Sequence, residues 1–184
     1  MATECPEADG SSPQKRRFDG PPPMCIDSTK SYTATMATSK GTMTIALDAA
    51  AAPATVNNFV VLARYHYFDG VAFHRVIPGF VIQGGDPEGT GRGGPGYKFA
   101  DELPKPGRYE LGSLAMANSG PNTNGSQFFI ISGPDGMRLP PQYSLFGKVV
   151  AGLDVVAALD AVGSPGAGKP KETVTIETVT IAES

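Results

Sequence analysis

The stretch Phe73-His-Arg-Val-Ile-Pro-Gly-Phe-Val-Ile-Gln-Gly-Gly-Asp86 holds most of two short apolar runs, at residues 72–76 and 80–83. Similar runs follow along the chain, separated by connectors rich in Gly, Pro and Asn, at residues 114–116, 127–131 and 144–150. Glycine and proline interrupt regular structure, and the chain contains 23 and 17 of them. Many short strands joined by such turns predict a mainly β fold whose antiparallel sheet is closed or nearly closed.

Clearer patterns flank this region on both sides. Residues 32–38 and 42–47 alternate Thr with apolar residues, and the short link between them favours a hairpin. Residues 173–181 alternate in the same way and predict a terminal strand. Two helices are expected, at residues 53–65 and 153–161. The first has a proline suited to its first turn and apolar residues at i, i+3, i+4 and i+7.

The composition excludes several functional classes. The chain has 184 residues, a formal net charge of −3 and a pI near 5.3, so it offers no concentrated basic face for nucleic acid. No apolar stretch approaches the ~20 residues of a membrane span, and the N-terminus lacks the apolar region of a signal peptide. We therefore expect a cytoplasmic monomer with neither membrane nor nucleic-acid partners.

Residues 1–31 are interpreted as an N-terminal extension of a domain at residues 32–184. The extension is rich in Ser and Pro, includes the run Pro21-Pro22-Pro23, and has little apolar periodicity, which favours extended backbone. It also holds both cysteines, Cys5 and Cys25, which are open to three interpretations. The two cysteines could be free thiols, or they could form a disulfide that closes a loop of about 20 residues. The third interpretation, metal ligands, is disfavoured by their spacing. A disulfide would staple the extension to the domain and favour an exported form.

Three local patterns suggest chemistry that their context does not support. Residues 89–94 match the dinucleotide-binding pattern Gly-x-Gly-x-x-Gly, but Pro95 follows and no strand-helix-strand unit surrounds them. Asn124 begins an N-glycosylation sequon, yet its place between turn residues and an apolar strand favours a structural or binding role. His74 has no evident nucleophile partner and is expected to be structural rather than a general base.

Two longer segments carry a specific resemblance to a known family. The first is residues 73–86, and the second, about 40 residues later, is Met116-Ala-Asn-Ser-Gly-Pro-Asn-Thr-Asn-Gly-Ser-Gln-Phe-Phe129. Both resemble the signature sequences of cyclophilin-type peptidyl-prolyl cis-trans isomerases, in the family's order. The resemblance covers about residues 32–181, and Leu139-Pro-Pro-Gln-Tyr143 is typical of bacterial members.

The resemblance implies a closed eight-stranded antiparallel β-barrel capped by two α-helices. It also implies an enzyme that accelerates rotation about X-Pro bonds without a cofactor or metal, acting on proline-containing peptides and unfolded protein clients. By motif position, the catalytic residues would be Arg75 and Gln83. The residues implied to bind substrate are Phe80, Val81, Ala117, Asn118, Gln127, Phe129, Leu139 and Tyr143, with Gly89 at the edge of the groove.

The chemistry of X-Pro rotation suits these residue types. Rotation is slow because amide resonance must be broken, so a catalyst must stabilise a twisted amide whose nitrogen has regained its lone pair. Arg75 is a permanently charged donor that can be directed at that nitrogen or the adjoining carbonyl. Apolar side chains would enclose the proline ring, while Gln83 would hold Arg75 and the backbone of Asn118 would pair with the peptide.

Three positions depart from the pattern of many family members. Val81 stands where many have Met, which should widen the pocket slightly, and Tyr143 stands where many eukaryotic members have His. Arg138 occupies the position of a Trp that assists cyclosporin binding in eukaryotic members, so cyclosporin should bind with reduced affinity. Two other functions stay open. The first is a proline-peptide adaptor with little turnover. The second is a secreted scaffold, a hypothesis supported only by a possible Cys5–Cys25 bridge.

Overall fold

The computed structural model describes residues 2–184, which form eight strands and three helices. The strands are β1 (Tyr32–Thr38), β2 (Gly41–Leu47), β3 (Arg75–Ile77), β4 (Val81–Gly84), β5 (Ser113–Met116), β6 (Phe128–Ile131), β7 (Leu145–Ala151) and β8 (Ile176–Glu183). The helices are α1 (Pro53–Arg64), α2 (Pro134–Met137) and α3 (Leu153–Asp160). Each predicted strand and both predicted helices are present, and the single-turn helix α2 was not predicted.

The strands belong to one antiparallel sheet in the order β3-β4-β6-β5-β7-β2-β1-β8, which curls into a half-barrel. The predicted hairpin joins β1 to β2, with Thr38 paired to Gly41 across a two-residue turn. At the other end of the sheet, β3 and β4 are linked by residues 78–80 and pair Arg75 with Gln83. The strand β6 begins with the last two residues of the second signature segment and pairs with β4 of the first, so the two segments meet on the sheet.

The closed barrel expected from the resemblance is not observed. The end strands β3 and β8 do not form a ladder, and a single isolated bridge joins Ala72 to Thr175 just outside them. The outer edge of β3 is occupied instead by a loop, because Val76 N donates to the carbonyl of Gly168 and the carbonyl of Val76 accepts from Ser164 N. Gly168 has a φ of +72°, and a Cβ there would lie 2.7 Å from Ile77 Cγ1, so this approach requires glycine.

The two longer helices pack against different parts of the sheet. Proline suits the first turn of a helix, and α1 begins at Pro53 as predicted. Its first turn is also held by Glu102, whose carboxylate accepts hydrogen bonds from the backbone N–H groups of Ala54 and Thr55. The helix α1 contacts β7 and β8, and α3 contacts β2, β3 and β4.

Alternation along the strands divides the apolar side chains between two clusters. The larger cluster includes Val76, Ile82 and Ile130 and forms the main core between the sheet and the helices. A smaller one, here called the outer cluster, lies on the opposite face of the same strands. Its buried members are Val81, Tyr109, Ala115, Phe129 and Ile131, and Phe80, Ala117, Leu139, Tyr143 and Leu145 pack against them. The single-turn helix α2 lies at the edge of this cluster, since a Cβ on Gly136 would be 2.9 Å from Ile131 Cγ2.

Residues 2–31 of the extension contain no helix or strand but lie on the domain. Cys5 and Cys25 are joined by a disulfide across 20 positions of sequence, so neither cysteine is a free thiol or a metal ligand. Phe18 and Ile26 are buried in the main core, and Asn57 on α1 accepts hydrogen bonds from the backbone N–H groups of Cys25 and Ile26.

In residues 2–184, none of the helices combines the length and apolar character that a membrane span needs.

Candidate active site

A row of polar side chains crosses the outer face of the sheet beside the outer cluster. Arg75 and Gln83 are paired residues on β3 and β4, and Arg75 Nη1 donates a 3.2 Å hydrogen bond to Gln83 Oε1. Gln83 Nε2 donates to Gln127 Oε1 at 3.1 Å, and Gln127 Nε2 donates to the carbonyl of Gly93 at 3.0 Å. This polar row of Arg75, Gln83 and Gln127 therefore ends on the loop at residues 86–96.

Arg75 is charged and half-buried. Among residues 2–184 no ion pair involves its guanidinium, whose recorded side-chain partner is the neutral oxygen of Gln83. Its Cζ also lies 6.0 Å from the ring centroid of Phe80, within reach of a cation–π interaction. A guanidinium held by a neutral partner keeps donors available for a ligand.

The outer cluster forms an apolar floor directly beside the polar row. Phe129 pairs with Gln83 across β4 and β6, so an aromatic ring and a polar row member are neighbours on the sheet. The rings of Phe129 and Tyr143 meet edge to face, with centroids 5.4 Å apart. Phe80 and Leu139 are half-buried and pack on this cluster. A small apolar ring could lie here against Phe129 while its adjoining amide faces Arg75.

Tyr143 is held in place by a residue that sequence reasoning missed. The hydroxyl of Tyr109 donates to the carbonyl of Tyr143 at 2.6 Å and accepts from its backbone N–H at 3.2 Å. Burial raises the pKa of Tyr109 to about 12, so the hydroxyl stays protonated and keeps both roles. Tyr109 lies in a connector without periodicity, and no sequence pattern marked it.

The loop that matches the dinucleotide-binding pattern turns its amides inward. Asp86 is fully buried, and its carboxylate accepts hydrogen bonds from the backbone N–H groups of Glu88, Thr90, Gly91 and Gly93. Burial by itself raises the pKa of Asp86, but these four hydrogen bonds favour the carboxylate and leave that pKa below its usual value. The donors that a phosphate would need are occupied, which supports the interpretation of this segment as a structural loop.

A cavity of about 690 Å³ opens between this loop and the polar row. It shares four of the predicted groove residues, namely Gln83, Ala117, Asn118 and Gln127. Asn118 is fixed through its side chain, which donates to the carbonyl of Gln142 and accepts from Gly120 N. Gly89 is exposed at the loop tip and does not line the cavity, so the structure does not bring this predicted edge residue into the site.

Asn124 and His74, the other two residues with a candidate chemical role, are held within the fold. Asn124 is fully buried, and its Nδ2 donates to the carbonyl of Phe99 and to Asp101 Oδ1, so the sequon nitrogen is engaged inside the fold. His74 is half-buried beside the loop, and burial lowers its pKa. Within residues 2–184, no group of three or more His, Cys, Asp or Glu side chains is arranged to hold a metal ion.

Comparison with known proteins identifies the family. The family model described as cyclophilin type peptidyl-prolyl cis-trans isomerase/CLD matches residues 33–181. The chain belongs to this family. The cyclophilin-type match starts one residue into β1, and the disulfide-bonded extension precedes it.

Curated cyclophilin-type relatives resemble most of the chain. Peptidyl-prolyl cis-trans isomerase A of Mycobacterium tuberculosis is 46% identical over 168 residues, covering 82% of this chain and 92% of the relative. Peptidyl-prolyl cis-trans isomerase ppi1 of Schizosaccharomyces pombe is 48% identical over 143 residues, covering 76% of this chain and 92% of the relative. The chain is thus a peptidyl-prolyl cis-trans isomerase, and its similarity to bacterial members agrees with the prediction.

A solved cyclophilin-type structure shares the fold. The enzyme of Cryptosporidium parvum superimposes with a TM-score of 0.76 at 34% identity, covering 84% of this chain and 99% of that one. A second structure of that enzyme, determined in the presence of the dipeptide Ala-Pro, also gives a TM-score of 0.76, at 35% identity and covering 83% and 99% of the two chains. Cyclophilin-type isomerases act on proline-containing peptides, in keeping with this dipeptide.

Proposed function

We propose that this isomerase rotates X-Pro bonds by holding the proline ring on the outer cluster and directing Arg75 at the twisted amide. The observation that carries the proposal is the position of Arg75: its guanidinium has a neutral partner, Gln83, and lies beside the apolar floor that contains Phe129. As the amide twists, its nitrogen regains a lone pair, and a positively charged donor stabilises that lone pair more than it stabilises the planar ground state.

The neighbouring residues divide the remaining work. Phe80, Phe129, Leu139 and Tyr143 enclose the proline ring and exclude water, which strengthens the interaction with Arg75. Gln83 orients Arg75 and contacts the substrate carbonyl. Within residues 2–184 the backbone N–H and carbonyl of Asn118 make no hydrogen bond, which supports pairing of this residue with an extended peptide.

The energy required is within reach of such a site. A ~10⁶-fold acceleration corresponds to a barrier lowered by about 8 kcal/mol. One donor aimed at developing charge contributes about 3 kcal/mol when its loss costs 10²- to 10³-fold in rate. Arg75 therefore accounts for more than a third of the lowering of the barrier, and positioning and water exclusion account for the rest.

The proposal extends to partners and location. The groove requires little beyond proline and its immediate neighbours, so unfolded protein segments are expected clients of a monomeric enzyme. The disulfide between Cys5 and Cys25 supports the exported form over the cytoplasmic one, because disulfides persist in oxidising compartments.

The test is a protease-coupled isomerisation assay on an Ala-Pro-Phe peptide. The native chain should accelerate rotation, and Arg75→Ala should lose about 100-fold or more in kcat/KM while keeping its thermal midpoint. Arg108→Ala is the matched control, because Arg108 is exposed and does not line the cavity.

Each result has a defined meaning. A folded Arg75→Ala variant with native kcat/KM would overturn the assignment of Arg75. Tight binding of the proline peptide without acceleration by the native chain would replace catalysis with the adaptor function.

A further inference from the structure

The cavity beside the polar row carries a positive charge that the chain as a whole lacks. Its lining includes Arg17, Arg92 and Lys98 against the single acidic residue Glu88, which leaves two positive charges, while the whole chain has a net charge of −3. Asp86 lies behind the lining, and four backbone N–H groups already bind its carboxylate. The excess of positive charge is therefore local to this cavity.

We propose that the cavity binds an acidic side chain of the peptide substrate and that Arg17, supplied by the N-terminal extension, is a residue that determines this specificity. The inference rests on the proposed function, because the peptide must lie in the groove for a neighbouring side chain to reach the cavity. It adds to that function a preference for Asp or Glu near the isomerised X-Pro bond.

The extension is built into the wall of the cavity. Immediately before Arg17, the guanidinium of Arg16 donates to the carbonyls of Tyr67 and Asp69. Immediately after it, Phe18 is buried in the main core, and its N–H donates to the carbonyl of Pro95 at 2.9 Å. The backbone is thus anchored on both sides of Arg17, which keeps this side chain at the cavity.

The close approach of the extension depends on a glycine in the cavity wall. Gly96 has a φ of +103°, and a Cβ at this position would lie 2.5 Å from the carbonyl oxygen of Phe18. No L side chain fits there without moving the extension. The glycine and the two anchors hold residues 16–18 against the loop.

The lining cations are free to bind an anion. None of Arg17, Arg92 and Lys98 takes part in an ion pair between residues 2–184. All three are exposed, so each gives a modest, salt-sensitive attraction rather than a tight site. Such a site gives discrimination between substrates more than raw affinity.

The occupant is a peptide side chain because the cavity continues the groove. Gln83, Ala117, Asn118 and Gln127 belong to the lining and to the predicted groove. An extended peptide rises about 3.3 Å per residue, so a side chain two or three residues from proline reaches across the polar row. A Glu carboxylate at that position would meet the cations while proline stays on the outer cluster.

The experiment compares Glu and Gln peptides that are otherwise identical. The substitution is placed two residues before proline, three residues before it, or two residues after it, and kcat/KM is measured for each at low ionic strength. The native chain should prefer Glu over Gln by about two- to fivefold at one or more of these positions. Arg17→Ala leaves Arg92 and Lys98 against Glu88 and should lower the ratio, and Arg17→Glu, which leaves the lining without net charge, should bring it close to one.

Controls separate this inference from the proposed function. Arg108→Ala should keep the native ratio. Salt at about 0.5 M should reduce the ratio, since the attraction between charges is screened over a shorter distance at high ionic strength. A ratio of one at every position, or a preference unchanged in Arg17→Ala, would overturn the inference while turnover of the Gln peptides still upholds the isomerase mechanism. Absence of turnover with every peptide would instead overturn the proposed mechanism.

Discussion

Arg75 and Gln83 are direct partners across the antiparallel pair β3–β4, and the guanidinium of one donates to the amide oxygen of the other at 3.2 Å. The amide nitrogen of Gln83 continues the row to Gln127. Gln83 thus connects the proposed catalytic donor to the loop that encloses the cavity. Its removal should affect Arg75 without unfolding the sheet.

We expect Gln83→Ala to lower kcat/KM for the Ala-Pro-Phe peptide by about tenfold, because a hydrogen bond to a charged group contributes about 1.5 kcal/mol. The loss should fall mainly on kcat, since orientation of Arg75 matters most in the twisted state. A double-mutant cycle with Arg75→Ala is the measurement that identifies a positioning role. Equal losses in the native and Arg75→Ala backgrounds would show that Gln83 acts independently of Arg75.

Asp86 organises the loop at residues 86–93, so its replacement should have both structural and kinetic effects. Asp86→Ala removes the acceptor of four backbone N–H groups and should lower the free energy of unfolding by about 3 kcal/mol. It should also lower kcat/KM, because Gln127 donates to the carbonyl of Gly93 in this loop.

Urea denaturation of Asp86→Ala measures the stability change. Asp135→Ala is the matched control, because Asp135 is exposed and its loss should change stability by no more than about 0.5 kcal/mol. Gly93→Ala should reproduce the defect, since a Cβ there would lie 1.9 Å from Asp86 Oδ1. Native stability in both loop variants would contradict this account.

His74 should make the fold less stable as the pH falls below about 6.5. Burial lowers the pKa of His74, the charge of Arg75 lowers it further, and the charge of Asp86 opposes both. Below the unfolded pKa the unfolded chain binds a proton that the folded chain still resists, so the free energy of unfolding decreases with falling pH through this window.

The free energy of unfolding is measured in urea at pH 7.5, 6.5 and 5.5. His74→Gln should flatten the curve over this range. His66→Gln should retain the slope contributed by His74, because His66 lies at a separate place, between Asp69 and the carbonyl of Gly10. If the free energy of unfolding had the same pH slope in His74→Gln and in the native chain, His74 would not be the cause of the pH dependence.

Cyclosporin should inhibit this enzyme more weakly than it inhibits eukaryotic relatives. Arg138 follows α2 at the place where the resemblance puts a Trp in those relatives, and it is 76% exposed and paired with Asp135. Arg138→Trp should restore an apolar contact and lower the inhibition constant by about tenfold, as burial of a large aromatic surface allows. A nanomolar constant for the native chain, or no change in Arg138→Trp, would contradict the prediction.

Much of the fold could be predicted because each strand carries its own local pattern. Residues 32–38 alternate regularly, and the short central strands are bounded by Gly and Pro, so their positions are fixed locally. Closure of the barrel could not be predicted in this way. It depends on which segment reaches Val76, and the loop at residues 164–168, rather than β8, does so.

The polar row and outer cluster follow from alternation combined with the two signature segments. Arg75, Gln83 and Phe129 come to one face because paired residues on neighbouring strands point to the same side. The wall contributed by Arg17 could not be foreseen, since neighbouring Arg16 bonds to carbonyls 51 and 53 positions away. No periodicity in the extension indicates such contacts.

The Cys5–Cys25 disulfide means that two samples of this protein are equivalent only when their cysteines have the same oxidation state. The bridge closes the loop of chain that carries Arg17 to the cavity, so oxidised and reduced samples differ covalently in the segment beside the groove. Kinetic constants from the two would describe different molecules of the same sequence. Peptide preferences measured for this enzyme should therefore be compared only between batches whose thiol content has been determined.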